Sequence, residues 1–211
     1  MLQIWKSALA QRGFRLRLAI MIVTHTVFSI AFANFVGFVE RRPGVVYTDP
    51  FLGYLPRADV TWPTFILIYG AVLISFWSLR THPERMVLTF QTWSSMLMVR
   101  MLAMWLLPLE PPVDIIPLAD PVAELVFGTS TPATRDLFFS GHTSTMLILS
   151  LAAVGRWRRV LFFAMTAAVA TFVLVQRVHY TIDVVAAPFF VAPLYFILAP
   201  YYLRRREAVE L

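Results

Sequence analysis

The stretch Leu18-Ala19-Ile20-Met21-Ile22-Val23-Thr24-His25-Thr26-Val27-Phe28-Ser29-Ile30-Ala31-Phe32-Ala33-Asn34-Phe35-Val36-Gly37-Phe38-Val39 runs between Arg17 and Glu40 without a charged residue. A helix of about 20 apolar residues crosses the hydrocarbon of a bilayer, because it satisfies its own backbone N–H and C=O groups where lipid offers no partner. This run is long enough to cross. It is too long for the apolar part of a secretory leader and has no small-residue cleavage site, so it predicts a retained first span rather than a signal peptide.

Working outward from it, further apolar windows predict spans near 16–39, 62–79, 86–107, 140–155, 157–178 and 181–203. The expectation is an all-α integral membrane protein, a bundle of six transmembrane helices in a single membrane domain. The fourth window is the shortest and abuts a polar motif, which places the start of that helix inside a cavity. Composition agrees: 59% of residues are hydrophobic and 14% charged, too apolar for a soluble domain.

The connections at 40–61 and 108–139 are rich in Pro and Gly and read as extended loops. The others are tight turns. The net charge of +6 does not point to nucleic acid, since the basic residues sit in short groups beside the apolar runs and are explained by topology. With the N-terminus inside, Lys6, Arg12, Arg15, Arg17, Arg80, Arg85, Arg156, Arg158, Arg159, Arg204, Arg205 and Arg206 fall on the cytoplasmic side. Only Arg41, Arg42, Arg57, Arg135 and Arg177 fall opposite, and Arg100 stays within a span. Both termini are therefore expected in the cytoplasm. The loop carrying Glu110, Asp114, Asp120, Glu124 and Asp136 is expected outside. The chain has no Cys and four His, which excludes disulfides and a thiol nucleophile, and no metal or other cofactor is expected.

Two motifs stand out from the apolar background: Phe139-Ser140-Gly141-His142-Thr143-Ser144 before the fourth span and His179-Tyr180-Thr181-Ile182-Asp183 before the sixth. The orientation above places both at the same face. His179 and Asp183 are four residues apart, so on a helix the carboxylate can hold one imidazole nitrogen and leave the other free to attack phosphorus. His142 supplies a second imidazole, an acid for a leaving alkoxide and a base for an incoming hydroxyl. Ser140 reads as the N-cap, Gly141 as a point of close backbone approach, and the N–H groups of that helix start as a cradle for phosphate oxygens.

Asp136-Leu137-Phe138-Phe139-Ser140-Gly141-His142-Thr143 and His179-Tyr180-Thr181-Ile182-Asp183-Val184 resemble the two signature motifs of the sphingomyelin synthase family, a branch of the type 2 phosphatidic acid phosphatase superfamily. The resemblance implies six membrane helices and an active site on the exoplasmic or periplasmic face. It also implies transfer of a phosphorylated head group from a glycerophospholipid to a lipid alcohol such as ceramide or diacylglycerol. On the matching positions it carries over His179 as nucleophile, Asp183 as its orienter and His142 as acid and base. Hydrolysis of a lipid phosphate remains the alternative reaction, and a non-enzymatic carrier or scaffold with the same fold is a third reading.

Phosphate calls for cations. Arg100, Arg135 and Arg177 are the candidates, with Arg100 and Arg177 favoured as substrate ligands. An unpaired guanidinium within a span costs about 2.5 kcal/mol or more, so Arg100 requires an anionic partner. Asp136 is expected to cap the incoming helix or balance Arg135, with substrate contact as the alternative. Tyr180 is a capping or supporting group at the site. His25 is expected to make a helix-packing hydrogen bond, and His82 falls in a cytoplasmic turn away from the site.

Overall fold

A computed structural model describes residues 1–121 and 132–203. The sequence positions Glu124, Arg204, Arg205 and Arg206 lie outside the described residues. Seven α-helices are described: α1 (Leu2–Ala10), α2 (Arg12–Val39), α3 (Thr61–Leu79), α4 (Pro83–Leu106), α5 (Gly141–Ala152), α6 (Arg156–Val175) and α7 (Thr181–Tyr202). Six of them, α2 to α7, coincide with the six apolar windows. The short α1 was not anticipated: it lies ahead of the first window and is held by Trp5, whose indole N–H donates to the Arg80 carbonyl at 2.7 Å.

By length and composition, α2, α3, α6 and α7 are each long and apolar enough to cross a membrane. Their outward positions, such as Ile22 and Ile30 on α2, Ile66 and Leu73 on α3, and Phe189 and Ile197 on α7, are exposed aliphatic and aromatic side chains. That is the surface a lipid solvent requires. The other two helices are of a different kind. α4 has 24 residues but buries Glu84, Arg85, Gln91, Ser94 and Arg100. α5 has 12 residues, or about 18 Å at 1.5 Å per residue, too short for a hydrocarbon core of about 30 Å.

Local chemistry sets the helix starts. Pro83 opens α4, with Glu84 in its first turn, where the missing N–H costs nothing and an acid favours the helix dipole. Ser140 caps α5 through its hydroxyl, which accepts the Thr143 N–H at 3.3 Å. Asp183 in the first turn of α7 reaches back to accept the Tyr180 N–H at 3.0 Å. Gly155, at φ +90°, makes the tight turn between α5 and α6, a backbone conformation that glycine adopts without strain.

Among the described residues there are four buried apolar clusters, three of them between helices and a fourth, Leu52, Leu109, Leu137 and Tyr180, beneath the long loops. Phe65, Ile68 and Ala71 of α3 bury against Met146 and Leu149 of α5 and Phe162 and Val169 of α6. Met96 and Leu97 of α4 bury against Leu147 and Ile148 of α5 and Ala187 and Val191 of α7. Near the other end, Phe14 and Met21 of α2 join Val87 and Leu88 of α4 and Tyr195 and Ala199 of α7. Ala152 of α5 joins this third cluster as well, so α5 takes part in all three between helices and lies in the middle of the protein. Ser140 and Phe139 are fully buried.

The two long loops are tied to each other. The Val45 N–H donates to the Pro108 carbonyl at 2.9 Å and the Glu110 N–H to the Val45 carbonyl at 3.0 Å, a single parallel bridge. Gly44 is required there: a Cβ would stand 2.5 Å from the Leu109 carbonyl carbon.

Candidate active site

The starts of α5 and α7 meet directly, since the Ser140 N–H donates to the Asp183 carbonyl at 3.1 Å. That bond brings the two polar motifs together. The imidazoles of His142 and His179 face each other edge to face, with ring centroids 6.2 Å apart.

His179 is buried, and its Nδ1 lies 3.2 Å from Asp183 Oδ2. The same oxygen accepts the Tyr180 N–H, so the carboxylate is fixed by backbone and orients the ring. The Nε2 of His179 has no hydrogen-bond partner among the described residues. Asp183 Oδ1 is buried without a partner, as is His142 Nδ1. The hydroxyl oxygens of Thr143 and Thr181 are in the same condition. Phe65 of α3 closes one side, its ring 6.1 Å from that of His142.

Arg100 reaches this place from α4. Its Nε donates to the Phe139 carbonyl at 2.8 Å and its Nη2 to Asp136 Oδ1 at 2.9 Å. The anionic partner that burial demands is thus Asp136. Its Nη1 has no hydrogen-bond partner among the described residues and lies against Gly141, where an added Cβ would come within 2.6 Å of it. Gly141 is needed because the guanidinium, pinned at its other two nitrogens, occupies the space of a side chain. One open cationic N–H, the start of α5 and two imidazoles therefore lie close together, donors of the kind that bind the negative oxygens of a phosphate.

The remaining candidates are placed elsewhere or employed otherwise. Asp136 balances Arg100 and not Arg135, because the chain turn at 135–137 sends the two neighbouring side chains in different directions. Arg135 binds Glu110 Oε2 through Nε at 3.0 Å and Nη2 at 2.8 Å, and its Nη1 donates to the Glu40 carbonyl at 2.6 Å. Arg177, at φ +62°, donates from Nη2 to the Leu55 carbonyl at 3.3 Å. Tyr180 sends its hydroxyl to the Glu110 carbonyl at 3.0 Å and packs its ring edge on against Tyr47. His25 meets Ser94 across α2 and α4 with 3.1 Å between Nδ1 and Oγ, the packing contact expected of it. His82 stays in the α3–α4 turn, beside Thr81.

The loop at 40–60 contributes groups that the sequence did not single out. Asp49 accepts the Thr181 N–H at the start of α7 through Oδ2, and the N–H groups of Phe51 and Leu52 through Oδ1. Burial would raise its pKa, but these donors together hold it below the ordinary carboxylate value. Glu40 accepts the N–H groups of Thr134 and Arg135. An Asp-Pro pair in a loop is a turn signal, and only the folded chain shows that Asp49 secures a helix so distant in sequence. Among the described residues, no group of three or more His, Asp or Glu is disposed to hold a metal ion.

Within this apolar helical bundle, two imidazoles, a carboxylate and a guanidinium come together, groups of the kind that can bind and attack a phosphoryl group. Residues 135–200 match the family described as PAP2 superfamily C-terminal, a segment that contains both histidine motifs and supports membership in that superfamily. Its members are generally phosphatases and phosphotransferases. With the four long apolar helices, the match supports an integral membrane protein. Searches among curated proteins and among solved structures gave no match.

Proposed function

We propose that the chain is a membrane lipid phosphotransferase, moving a phosphorylated head group from a glycerophospholipid to a lipid alcohol such as ceramide or diacylglycerol. The observation that carries this reading is the facing pair His142 and His179, with Asp183 on the Nδ1 of His179. A reacting nitrogen stands about 3 to 3.5 Å from the atom it attacks. A proton donor stands about 2.8 Å from the oxygen it serves. With the ring centroids 6.2 Å apart, a phosphoryl group held by one imidazole lies beside the other.

In the first step Nε2 of His179 forms a bond to phosphorus and the bond from phosphorus to the glycerolipid oxygen breaks, with His142 giving its proton to that oxygen. Asp183 stabilises the positive charge on the phosphohistidine ring. Arg100 Nη1 and the N–H groups at the start of α5 stabilise the non-bridging oxygens. In the second step the acceptor hydroxyl attacks phosphorus, its proton passes to His142 and the phosphorus–nitrogen bond breaks. Both enzyme groups return to their starting states.

All six helices α2 to α7 traverse the membrane region in this reading, with α4 and α5 shielded by the more apolar four. The distribution of the basic residues supports an orientation with both termini in the cytoplasm and the site on the opposite face. Substrates are the phospholipid and the lipid alcohol, and the reaction calls for no cofactor.

The test is incubation of the purified protein with head-group-labelled phospholipid, with and without ceramide or diacylglycerol. Label is expected on the acceptor lipid, and with His179→Ala on neither lipid nor water-soluble product. Acceptor-independent release of water-soluble head-group phosphate would assign hydrolysis instead, a reaction within the same superfamily. Turnover unaffected by His179→Ala would remove the site from the reaction altogether. Orientation is read separately in this Cys-free chain: Ala133→Cys is expected to react with an impermeant thiol reagent added outside, and Thr81→Cys is not.

A further inference from the structure

A cavity of about 210 Å³ opens between α3, α4 and α5, walled by Val72, Ser75 and Phe76, by Phe90 and Trp93, and by Thr145. Its origin is in the packing. At the α3–α4 turn the two helices are together, with Leu79 buried beside Val87 and Leu88. Farther along they part: α3 turns its buried face to α5 and α6, and α4 turns its own to α5 and α7. A cleft is left between neighbours in sequence.

The walls are apolar. Thr89, one of the lining residues, returns its hydroxyl to the Arg85 carbonyl at 2.7 Å, so its methyl is the group left for the cavity. A dry cavity of about 150 Å³ with such a lining takes up a benzene-sized hydrocarbon, and this one is larger. Phe76, 48% exposed, stands at the mouth with its ring 5.8 Å from that of Phe90. In a membrane that mouth faces hydrocarbon, so the chemistry available to fill it is an acyl chain.

The cleft also leads toward the imidazoles. Thr145 is one turn beyond His142 on α5, and Val72 is two turns from Phe65, whose ring meets His142. Leu79, 4% exposed, and Met86 line the part of the cleft beside the turn. From Phe65 to Leu79 α3 rises about 21 Å at 1.5 Å per residue, against about 15 Å for the hydrocarbon of one leaflet, half of a core of about 30 Å.

We propose that this cleft seats one acyl chain of the lipid whose phosphate is attacked at His179, and that Leu79 and Met86 limit the chain length accepted. The assignment rests on the lipid phosphoester reading above. It is tested by filling the cleft with Val72→Phe and, as a milder change from the same wall, Ser75→Leu. For a long-chain phospholipid kcat/KM is expected to fall about tenfold or more, while a short-chain phospholipid with the same head group stays within about twofold. Equal losses on both substrates, or no loss on either, would overturn the proposal.

Occupancy is read independently of turnover. Phospholipid brominated along its acyl chains is expected to quench the emission component that Trp93→Phe removes, and to quench it less in the Val72→Phe protein. Absence of that quenching in the unaltered protein overturns the acyl assignment, even if head-group transfer is intact. Quenching without turnover of any phospholipid overturns the reaction and leaves the cleft an acyl-chain site.

Discussion

Arg100 and Arg135 flank the same segment and are used in opposite ways. Arg135 has every nitrogen engaged, two on Glu110 and one on the Glu40 carbonyl, and so joins the two long loops. Arg100 has two nitrogens fixed on Phe139 and Asp136 and the third free against Gly141. Both carry the same charge, but only the second keeps a donor in reserve beside the imidazoles. What suits Arg100 to the proposed role of phosphate ligand is unfilled donor capacity held in place by filled donors.

The largest effect that separates the two is expected from Arg100→Lys. An ammonium cannot hold Phe139 and Asp136 in fixed directions and still present a third donor to phosphate. Transfer activity is expected to fall by about 10² to 10³, the scale of losing one charge-stabilising donor. Arg135→Lys is expected to remain within about tenfold of the unaltered rate, since its role lies outside the reaction. If Arg135→Lys proves the more damaging in the labelled-head-group assay, the contrast is broken.

Gly141→Ala is the next largest. The methyl would stand 2.6 Å from Arg100 Nη1, so the guanidinium must move while its ion pair with Asp136 persists. Activity is expected to fall about tenfold, a loss of about 1.4 kcal/mol in transition-state stabilisation, with little change in thermal unfolding in detergent. Arg135→Ala is expected to show the converse, a lower unfolding temperature, because Glu110 and the Glu40 carbonyl lose their donors. Breaking such contacts costs about 1 to 3 kcal/mol.

The smallest effect is a pH dependence of the loop junction. Glu110 accepts the Gly44 N–H and the Arg135 guanidinium, which hold its pKa below the ordinary glutamate value. A depressed carboxylate stabilises the folded chain fully above the unfolded-state pKa of about 4.3 and loses that contribution as pH falls through its own lower value. The unfolding temperature is therefore expected to drop slightly below pH 4, and Glu110→Gln is expected to flatten that part of the profile. An undiminished dependence in the variant would assign it to other carboxylates.

The helix positions were legible in sequence because a membrane leaves few choices: each apolar window returned a helix within a few residues of its expected bounds. The exception is instructive. The windows count apolar residues without regard to their partners, so α4 read as an ordinary span although it carries buried polar groups; α5 already stood apart as the shortest window beside a polar motif, and it is 12 residues long. The His/His/Asp set was readable because a four-residue spacing and a capped helix start are local features. Arg100 could be seen to need an anion, but Asp136 and Arg135 were paired by adjacency alone, and the chain turn between them reassigned both partners. Asp49, Glu40 and Glu110 were not singled out as supports, since each acts on a segment far away in sequence. Thr143 and Thr181 lie within the two motifs, but nothing in the sequence marked their hydroxyls as buried without a partner among the described residues.

The Ser140 N–H on the Asp183 carbonyl gives the two imidazoles a common footing. Their spacing is set at the backbone, by one bond between two helix starts, and not by how tightly the bundle closes elsewhere. In the proposed transfer this means that a shift of the helices on the lipid side would carry His142 and His179 together as a single piece.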